Sequence, residues 1–385
     1  MTKQGKNDTA WEKLFNKYHI LSEIEKTGKY IISSRTINKV REARLMTKFD
    51  HKVNLPEIFK ENGLSILPIT RGDYIISSFE AYKPFEELDA TTKLVSIPSN
   101  IQSLLPQFIV SETIALNCAN ACGLLNDFLE EEKITETVNG RMGSGNFSFE
   151  INNKNGIETI SVSNSQIEID GAFEGNNFLS LFEAKNEISN DFLIRQLYYP
   201  YRIWTERLTK PIKPVFMVFS NGIFHFYEYH FENPKNYNSL VLVKQKNYAI
   251  ETKIMLDDIE NILKTITLVP EPEISFPQAD SMARIINLIE LLHKKPMTQE
   301  DITTEYAFDE RQTQYYTDAG IYLGLITKEK DKEKNNWYKL SEIGERILKM
   351  EYRGRQLAII RQIIMHKPFY ETAELRFHTG KIPAK

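Results

Sequence analysis

Two short apolar stretches in the middle of the chain carry charged residues at alternate positions. The first, IEID, contains Glu168 and Asp170, and the second, LSLFEAK, ends with Glu183 and Lys185. Residues two apart in a β-strand point to the same side, so each pair is predicted to share one face of its strand. The intervening GNN at 175–177 predicts a turn, because Gly and Asn tolerate unusual backbone angles. Strands joined by that turn would bring Asp170 beside Glu183.

Two carboxylates held close together repel each other unless a cation joins them. Oxygen ligands of this kind suit Mg²⁺, which keeps several of its own waters. The ion would lower the pKa of a bound water and offset negative charge on a reacting phosphate. Lys185 would orient or deprotonate that water, or stabilise the developing charge. The competing interpretation is a solvent-exposed hairpin whose Glu-x-Lys pair has no chemical role.

Asp170, followed 13 residues later by Glu183-Ala184-Lys185, resembles the motif of the PD-(D/E)XK nuclease superfamily, and especially of its type II restriction endonucleases. The resemblance implies that Asp170 and Glu183 bind Mg²⁺ and that Lys185 assists the attacking water. It also implies a mixed sheet flanked by helices, within the α/β (α+β) class. The residue before Asp170 is Ile169, where the literal motif has Pro.

Three further residues are candidates by the same resemblance. Many members carry an acid on the helix before the sheet, and Glu112 in VSETIALN occupies that place. Glu112 also follows Ser111 at a predicted helix start, where its charge would favour the helix dipole, so both roles stay open. Some members have a Gln followed four residues later by Tyr, whereas Gln196 is followed there by Pro200. Gln196 is therefore an accessory candidate, and Glu168 is either an accessory acid or a solvated neighbour.

Length, composition and charge limit the kind of protein that this chain can be. A chain of 385 residues is long enough for two or three domains, and 41% hydrophobic with 26% charged residues is typical of soluble globular proteins. The net charge of −4 does not point to nucleic acid, although a basic face can be offset by acids elsewhere. The only cysteines, Cys118 and Cys122, predict no disulfide framework. With no signal peptide and no membrane span in the sequence, we expect a cytoplasmic protein.

The proline-rich stretch LVPEPEISFPQAD predicts a linker, because proline disfavours helix before and within its position. Helical and strand patterns alternate before it, and helical patterns dominate after it. The predicted units are an N-terminal α/β region that we expect to contact DNA (1–100), the PD-(D/E)XK nuclease core (101–267), the linker (268–280), a winged-helix-like domain (281–352) and a C-terminal helical tail (353–385).

The predicted winged-helix-like domain contains three helices, a charged hairpin and a further helix, in that order. Thr298 with Asp301, and Asp309 with Gln312, have the spacing of helix capping boxes. The domain would follow the linker directly, so it would be a separate unit from the sheet.

The third helix of a winged helix typically enters the major groove. Arg311, Gln312 and Gln314 would then contact bases, since Arg and Gln suit bidentate contacts to guanine and adenine. The hairpin lysines would contact phosphates, and they stand at positions 328, 330, 332 and 334. Alternating acids nearly cancel these lysines, and winged helices also serve protein contacts, so both uses stay open.

The resemblance and the motifs predict a Mg²⁺-dependent type II restriction endonuclease, a hydrolase that cuts duplex DNA at a specific short sequence. The implied partners are double-stranded DNA, a second copy of the chain in a homodimer, and a cognate DNA methyltransferase that acts on the same site. One alternative is a repair or recombination nuclease of the same superfamily, which would read DNA structure. The other is a winged-helix DNA-binding regulator in which the EAK sequence is incidental.

Overall fold

The computed structural model describes residues 5–86, 88, 91–98, 100, 101, 103, 104, 109, 111–250, 254–306, 308–331, 335–350 and 352–379. These residues form helices around a mixed sheet, which confirms the predicted class of mixed α and β structure. None of the helices in these ranges is long and apolar enough to span a membrane.

The N-terminal part, residues 6–84, packs helices on a small antiparallel sheet with the strand order β1-β3-β2. Its elements are α1 (Lys6–Tyr18), α2 (Ile20–Thr27), β1 (Lys29–Ser33), α3 (Ser34–Ile37), α4 (Ala43–Thr47), α5 (Glu57–Glu61), β2 (Ser65–Pro68), β3 (Asp73–Ser77) and β4 (Tyr82–Pro84). The apolar spacing of α1 buries Trp11 and Phe15 against Phe59. Trp11 also donates a hydrogen bond of 2.9 Å to the carbonyl of Met46, which ties α1 to α4.

The central part, residues 92–265, is built on a seven-stranded sheet with the order β5-β14-β13-β12-β10-β9-β6. Its elements are β5 (Thr92–Val95), α6 (Glu112–Ala121), α7 (Leu124–Leu129), β6 (Thr135–Gly143), β7 (Asn146–Asn153), β8 (Gly156–Ser163), β9 (Gln166–Glu174), β10 (Leu179–Lys185), β11 (Asp191–Leu193), α8 (Arg195–Arg207), β12 (Ile212–Ser220), β13 (Ile223–Phe231), β14 (Leu240–Ile250) and α9 (Leu256–Thr265). Strand β10 pairs in parallel with β12 and β14 with β5, while the other neighbours are antiparallel, so the sheet is mixed.

Strand β10 is buried along its whole length, and its alternating side chains face two separate cores. Leu179 and Leu181 pack into the core that contains the apolar face of α8. Phe182 and Ala184 pack into the core that contains α6 and α7. Since side chains alternate along a strand, Glu183 continues the Leu179–Leu181 face on the α8 side of the sheet.

The C-terminal part, residues 282–379, packs helices around a small sheet with the order β15-β17-β16. Its elements are α10 (Met282–Lys294), β15 (Met297–Thr298), α11 (Gln299–Glu305), α12 (Glu310–Tyr322), β16 (Ile326–Lys330), β17 (Asn336–Leu340), α13 (Glu342–Leu348), α14 (Tyr352–Ile364) and α15 (Lys367–Thr379). Both predicted capping boxes form, with Thr298 capping α11 and Asp309 capping α12.

The segment predicted as a linker, 268–280, is held against the C-terminal helices. The N–H of Val269 donates a hydrogen bond of 3.0 Å to the carbonyl of Met365, and Phe276 stacks on Phe369 with ring centroids 5.5 Å apart. The predicted helical tail forms α14 and α15, and Ile359 of α14 joins the core of the C-terminal part. Linker and tail are therefore packed components of that part.

Candidate active site

Asp170 lies beside the end of β10. The antiparallel pairing of β9 with β10 extends to Phe182 opposite Gly171, and one further step in this register sets Glu183 opposite Asp170. The Oδ2 atom of Asp170 accepts a hydrogen bond of 2.7 Å from the backbone N–H of Ala184. The two acids expected to converge are thus on adjacent strands at the same end of the sheet.

Strand β9 is irregular just where Asp170 stands. Ile169 and Ala172, which are three residues apart, both face the core on the α8 side, and the pairing with β6 shifts over the same residues. A bulge of this kind re-aims side chains and is common beside active sites. The alternation that predicts a shared face for Glu168 and Asp170 breaks here. Glu168 lies at the surface, where its Oε1 is 3.2 Å from Nε of Arg141.

Glu183 and Lys185 are both buried and contact each other directly. The ammonium of Lys185 donates a hydrogen bond to Oε1 of Glu183. Nε2 of Gln196, in the first turn of α8, donates a second hydrogen bond of 2.6 Å to the same oxygen. Gln196 is therefore part of this cluster, although Pro200 interrupts the spacing that the resemblance would give it.

Lys185 is held in its charged form. Burial alone would lower the pKa of Lys185, but the surrounding carboxylates outweigh burial and raise it well above the ordinary value, with Glu183, Asp50 and Glu187 contributing most. An ammonium can orient a water or stabilise negative charge, whereas it cannot accept a proton. Of the roles considered for Lys185, its electrostatic surroundings favour these two over that of a base.

The carboxyl groups around Lys185 are poorly solvated. Burial raises the pKa of Glu183 to about 8, against the opposing charge of Lys185. Burial also raises the pKa of Asp170 and of Glu112, and the charge of Asp170 adds to the effect on Glu112. These raised pKa values mean that the buried carboxyls hold their protons more readily, and a divalent cation beside them would favour their ionised form.

Glu112 reaches this neighbourhood from the other side of the sheet. It is the first residue of α6, and Ser111 caps that helix by accepting a hydrogen bond of 3.3 Å from the N–H of Ile114. Its charge is among those that raise the pKa of Lys185. The geometry is compatible with both roles considered for Glu112, the metal ligand and the helix N-terminal charge.

Asp50 and His51, in the loop after α4, belong to the same cluster and were not singled out in the sequence. Burial would raise the pKa of Asp50, but the nearby cations, led by Lys185, lower it. Nδ1 of His51 lies 2.6 Å from the carbonyl oxygen of Asp191, and Nε2 lies 3.9 Å from Oε1 of Glu187. No local pattern marks these residues, because their partners are far away in the chain.

The oxygen atoms of the cluster suit Mg²⁺. Asp50 Oδ1, Asn186 Oδ1 and Gln196 Oε1 are buried and have no hydrogen-bond partner among the described residues. No group of three or more His, Cys, Asp or Glu within the described ranges is arranged to hold a metal ion. Mg²⁺ is commonly held by one or two carboxylates and several waters. Asp170 and Glu183 provide such carboxylates, and the unpartnered oxygens are acceptors for waters.

The residues predicted to contact bases are on α12, and one of them has another function. Oε1 of Gln312 accepts a hydrogen bond of 3.3 Å from the N–H of Asp309, so Gln312 completes the capping box. Arg311 and Gln314 are exposed. In the hairpin, the lysines at 328 and 330 are exposed, whereas those at 332 and 334 lie outside the described residues.

Three family models match consecutive segments of the chain. Their descriptions are Domain of unknown function (DUF6996) for residues 8–76, Domain of unknown function (DUF6997) for 77–249, and Domain of unknown function (DUF7226) for 284–385. No curated protein and no solved structure matches the chain. The geometry of the site therefore carries the functional argument.

The three matched segments meet just beyond Lys185. His51, from the first segment, holds Asp191 and approaches Glu187 of the second. Asn287, from the third segment, accepts a hydrogen bond of 3.2 Å from the N–H of Ile188. The end of the strand that carries Lys185 is thus contacted by residues of all three.

Proposed function

We propose that this chain is a Mg²⁺-dependent type II restriction endonuclease of the PD-(D/E)XK superfamily. In this proposal it hydrolyses phosphodiester bonds of duplex DNA at a specific short sequence. The observation that carries the proposal is the hydrogen bond from Ala184 to Asp170, which holds an acid beside Glu183 and Lys185. The mixed sheet, with α6 on one face and α8 on the other, agrees with the helix-flanked core that the resemblance implies.

Five residues of the cluster have distinct roles in this mechanism. Asp170 and Glu183 would hold the Mg²⁺, with Glu112 as a candidate further ligand. When bound, the ion lowers the pKa of a water and offsets charge on the phosphate. The Lys185 ammonium orients the attacking water by donating a hydrogen bond and stabilises negative charge that develops on the phosphate. Gln196 holds the carboxylate of Glu183 in a fixed orientation, which keeps the site preorganised.

A group of exposed cations on the N-terminal part supports binding to a polyanion. We call it the basic strip, and its members, on α3, α4 and the turns beside them, are Arg35, Lys39, Arg44 and Lys48. Lys48 lies 3.6 Å from Asp50, while the other three make no ion pair with a carboxylate in the described part of the chain. Unpaired surface cations are the residues that contact DNA phosphates.

One member of the basic strip, Lys48, lies beside the cluster of acids. The charge of Lys48 helps to lower the pKa of Asp50 and offsets part of the rise in the pKa of Asp170, so Lys48 lies near both. The carbonyl of Asp50 also accepts a hydrogen bond of 3.0 Å from the N–H of Leu193, which fixes the loop against the central part. A DNA phosphate bound by Lys48 would therefore lie near Asp170.

The C-terminal part is assigned a supporting role in recognition. In this proposal it is a winged-helix-like domain, and the exposed Arg311 and Gln314 of α12 contact base edges. The enzyme acts as a homodimer on a two-fold symmetric site, and a cognate methyltransferase protects the same sequence in the host. These partners follow from the proposed class of enzyme.

Cleavage by matched variants tests the proposal. Asp170→Ala and Lys185→Ala should each reduce Mg²⁺-dependent cleavage of duplex DNA by about 100-fold or more, while binding measured without Mg²⁺ stays largely intact. Glu174→Ala is the control, because Glu174 is an acid on the same strand that pairs with Lys210 at 2.6 Å. Undiminished cutting by both site variants would end the assignment.

The products separate this proposal from the two alternatives. A restriction enzyme gives discrete fragments of a plasmid, whereas a repair or recombination nuclease cuts according to DNA structure. A winged-helix regulator would bind DNA and cut none of it, and it has no need for the buried acids beside Lys185.

A further inference from the structure

The backbone just after Lys185 is held by a helix of the C-terminal part. Nδ2 of Asn287, on α10, donates a hydrogen bond to the carbonyl of Asn186. Oδ1 of the same side chain accepts one of 3.2 Å from the N–H of Ile188. Nη2 of Arg284, one turn earlier on α10, donates to the carbonyl of Ile188 at 3.3 Å. One helix therefore supplies three hydrogen bonds to the main chain of two residues.

Asn287 is an unusual residue for its position. It is 1% exposed on the helix whose apolar residues, including Leu288 and Ile289, fill the core of the C-terminal part. Burial of an amide is unfavourable unless its groups are hydrogen-bonded. The strand end provides the partners for both groups of Asn287. Asn287 in turn provides hydrogen-bond partners for the carbonyl of Asn186 and the N–H of Ile188. These groups lie beyond the end of β10 and would otherwise need water as a partner.

Residues 186–188 are contacted by two other parts of the chain. Glu187 lies between the two residues that Asn287 holds, and its carboxylate faces His51 of the N-terminal part, 3.9 Å away. The main chain at 186–188 is thus held by α10, while the carboxylate of Glu187 lies near His51 of the loop after α4. Lys185 is the residue directly before residues 186–188. The position of those residues therefore constrains the position of its ammonium.

We infer that Asn287 is a positioning residue, through which docking of the C-terminal part holds Lys185 in its working position. This inference rests on the proposed function. If the inference holds, the cleavage rate depends on how α10 packs against the chain after Lys185, even though no atom of α10 is assigned to the chemistry. A displacement of about 1 Å at a reacting group can reduce a rate about 100-fold. An interface beside Lys185 can therefore regulate the rate without altering the acids that hold the ion.

The same interface offers a matched control. Nε2 of Gln356, on α14, donates a hydrogen bond of 2.6 Å to Oδ1 of Asn221, in the turn between β12 and β13. This contact also joins the C-terminal part to the central sheet, but it reaches a different strand connection. Gln356→Ala removes an amide hydrogen bond from the docking surface and leaves the segment after Lys185 untouched.

The test compares Asn287→Ala, Asn287→Asp and Gln356→Ala in the full chain. Single-turnover cleavage at saturating duplex DNA should fall about 30- to 100-fold in Asn287→Ala, with the DNA dissociation constant unchanged within about twofold. Asn287→Asp keeps the acceptor for Ile188 and loses the donor to Asn186, so it should also be slow. Gln356→Ala should retain the wild-type rate within about threefold.

Amide hydrogen exchange provides a readout that does not depend on cleavage. Backbone amides at 183–188 should exchange faster in Asn287→Ala than in the wild type or in Gln356→Ala. Only Asn287→Ala loses the hydrogen bonds that hold the chain after Lys185. Thermal unfolding of each variant shows whether the whole chain remains folded.

Two results would overturn the inference. One is a wild-type cleavage rate in Asn287→Ala. The other is an equal loss of rate and protection in Gln356→Ala, which would assign the effect to docking in general. If the wild-type chain cuts no DNA, the proposed function fails, and the exchange data still decide whether Asn287 holds the strand end.

Discussion

His51 should make the stability of the N-terminal part depend on pH. Burial disfavours the protonated ring, but the contacts with Asp191 and the nearby carboxylate of Glu187 outweigh burial and raise the pKa of His51 from 6.5 to about 9. The folded pKa lies above the unfolded one, so the protonated ring stabilises the fold. This contribution is complete below about pH 6.5 and is lost as the pH rises through about 9.

The size of the effect follows from the difference between the two pKa values. Each pH unit corresponds to about 1.4 kcal/mol, so a difference of about 2.5 units corresponds to about 3 kcal/mol for this buried group. His51→Gln removes the titration and keeps a hydrogen-bonding side chain. The variant should be less stable than the wild type by about 3 kcal/mol at pH 6, and most of that gap should close by pH 10.

The assay must report on the N-terminal part alone, because a chain with several packed parts need not unfold in one step. Trp11 is fully buried there, and the other tryptophans of the chain are Trp204 and Trp337. Urea unfolding followed by Trp11 fluorescence, with the other two replaced by Phe, gives the required free energies between pH 6 and pH 10. Subtracting the variant from the wild type cancels the other groups that titrate in this range.

A constant gap between wild type and His51→Gln across this pH range would refute the reasoning. It would mean that the ring makes the same contribution in both protonation states, and that Asp191 and Glu187 do not bind it as an ion. A direct titration of the His51 ring by NMR should give a pKa well above 6.5, and an ordinary value would contradict the account in the same way.

Two further predictions concern DNA binding and packing. Replacing Arg35, Lys39 and Arg44 by Ala should weaken duplex binding on the order of 100-fold at 0.15 M salt, and should lower the slope of log affinity against log salt by about 3. The control replaces three exposed lysines elsewhere, Lys264, Lys349 and Lys367, by Ala. An equal loss of affinity in this control would contradict a specific role for the basic strip. Gly171→Ala should lower the free energy of unfolding by about 1–3 kcal/mol, because the added Cβ would lie 2.4 Å from Leu116 Cδ2. Chemical unfolding measures this, and the loss caused by Gly171→Ala should be smaller in a Leu116→Ala background. An unchanged stability would contradict the close approach of α6 to β9.

The convergence of acids on one strand end is the kind of feature that a sequence can predict. Asp170, the turn at 175–177 and Glu183 lie within a short hairpin, so strand alternation and turn chemistry are enough to bring the acids together. The helix caps at Thr298 and Asp309 were predictable for the same reason, since a capping box is set by residues three apart.

Features that depend on distant segments were not predictable in this way. The bulge between Ile169 and Ala172 is visible only in the pairing of β9 with β6, and it breaks the alternation that would place Glu168 and Asp170 on one face. Asp50 and His51 join the cluster only because the N-terminal part packs against the end of β10. Asn287 lies within a regular amphipathic helix, where a single amide gives no signal of its partner in another part of the chain.

The charge on Lys185 is a further property that spacing alone left open. The motif allows a base or an ammonium at this position. The choice is made by the number of carboxylates around the amine, and these come from α6, from the loop after α4 and from β10 itself. Electrostatics of this kind requires the assembled fold.

Digestion of a sequenced phage genome in Mg²⁺, followed by mapping of the fragment ends, tests the central claim most directly. The account predicts that the wild-type chain leaves ends at one short sequence and that Asp170→Ala leaves the genome intact. Ends scattered without a common sequence would contradict site-specific cutting. An uncut genome, or the same ends from Asp170→Ala, would contradict the assignment of the Asp170, Glu183 and Lys185 cluster as the place where DNA is cut.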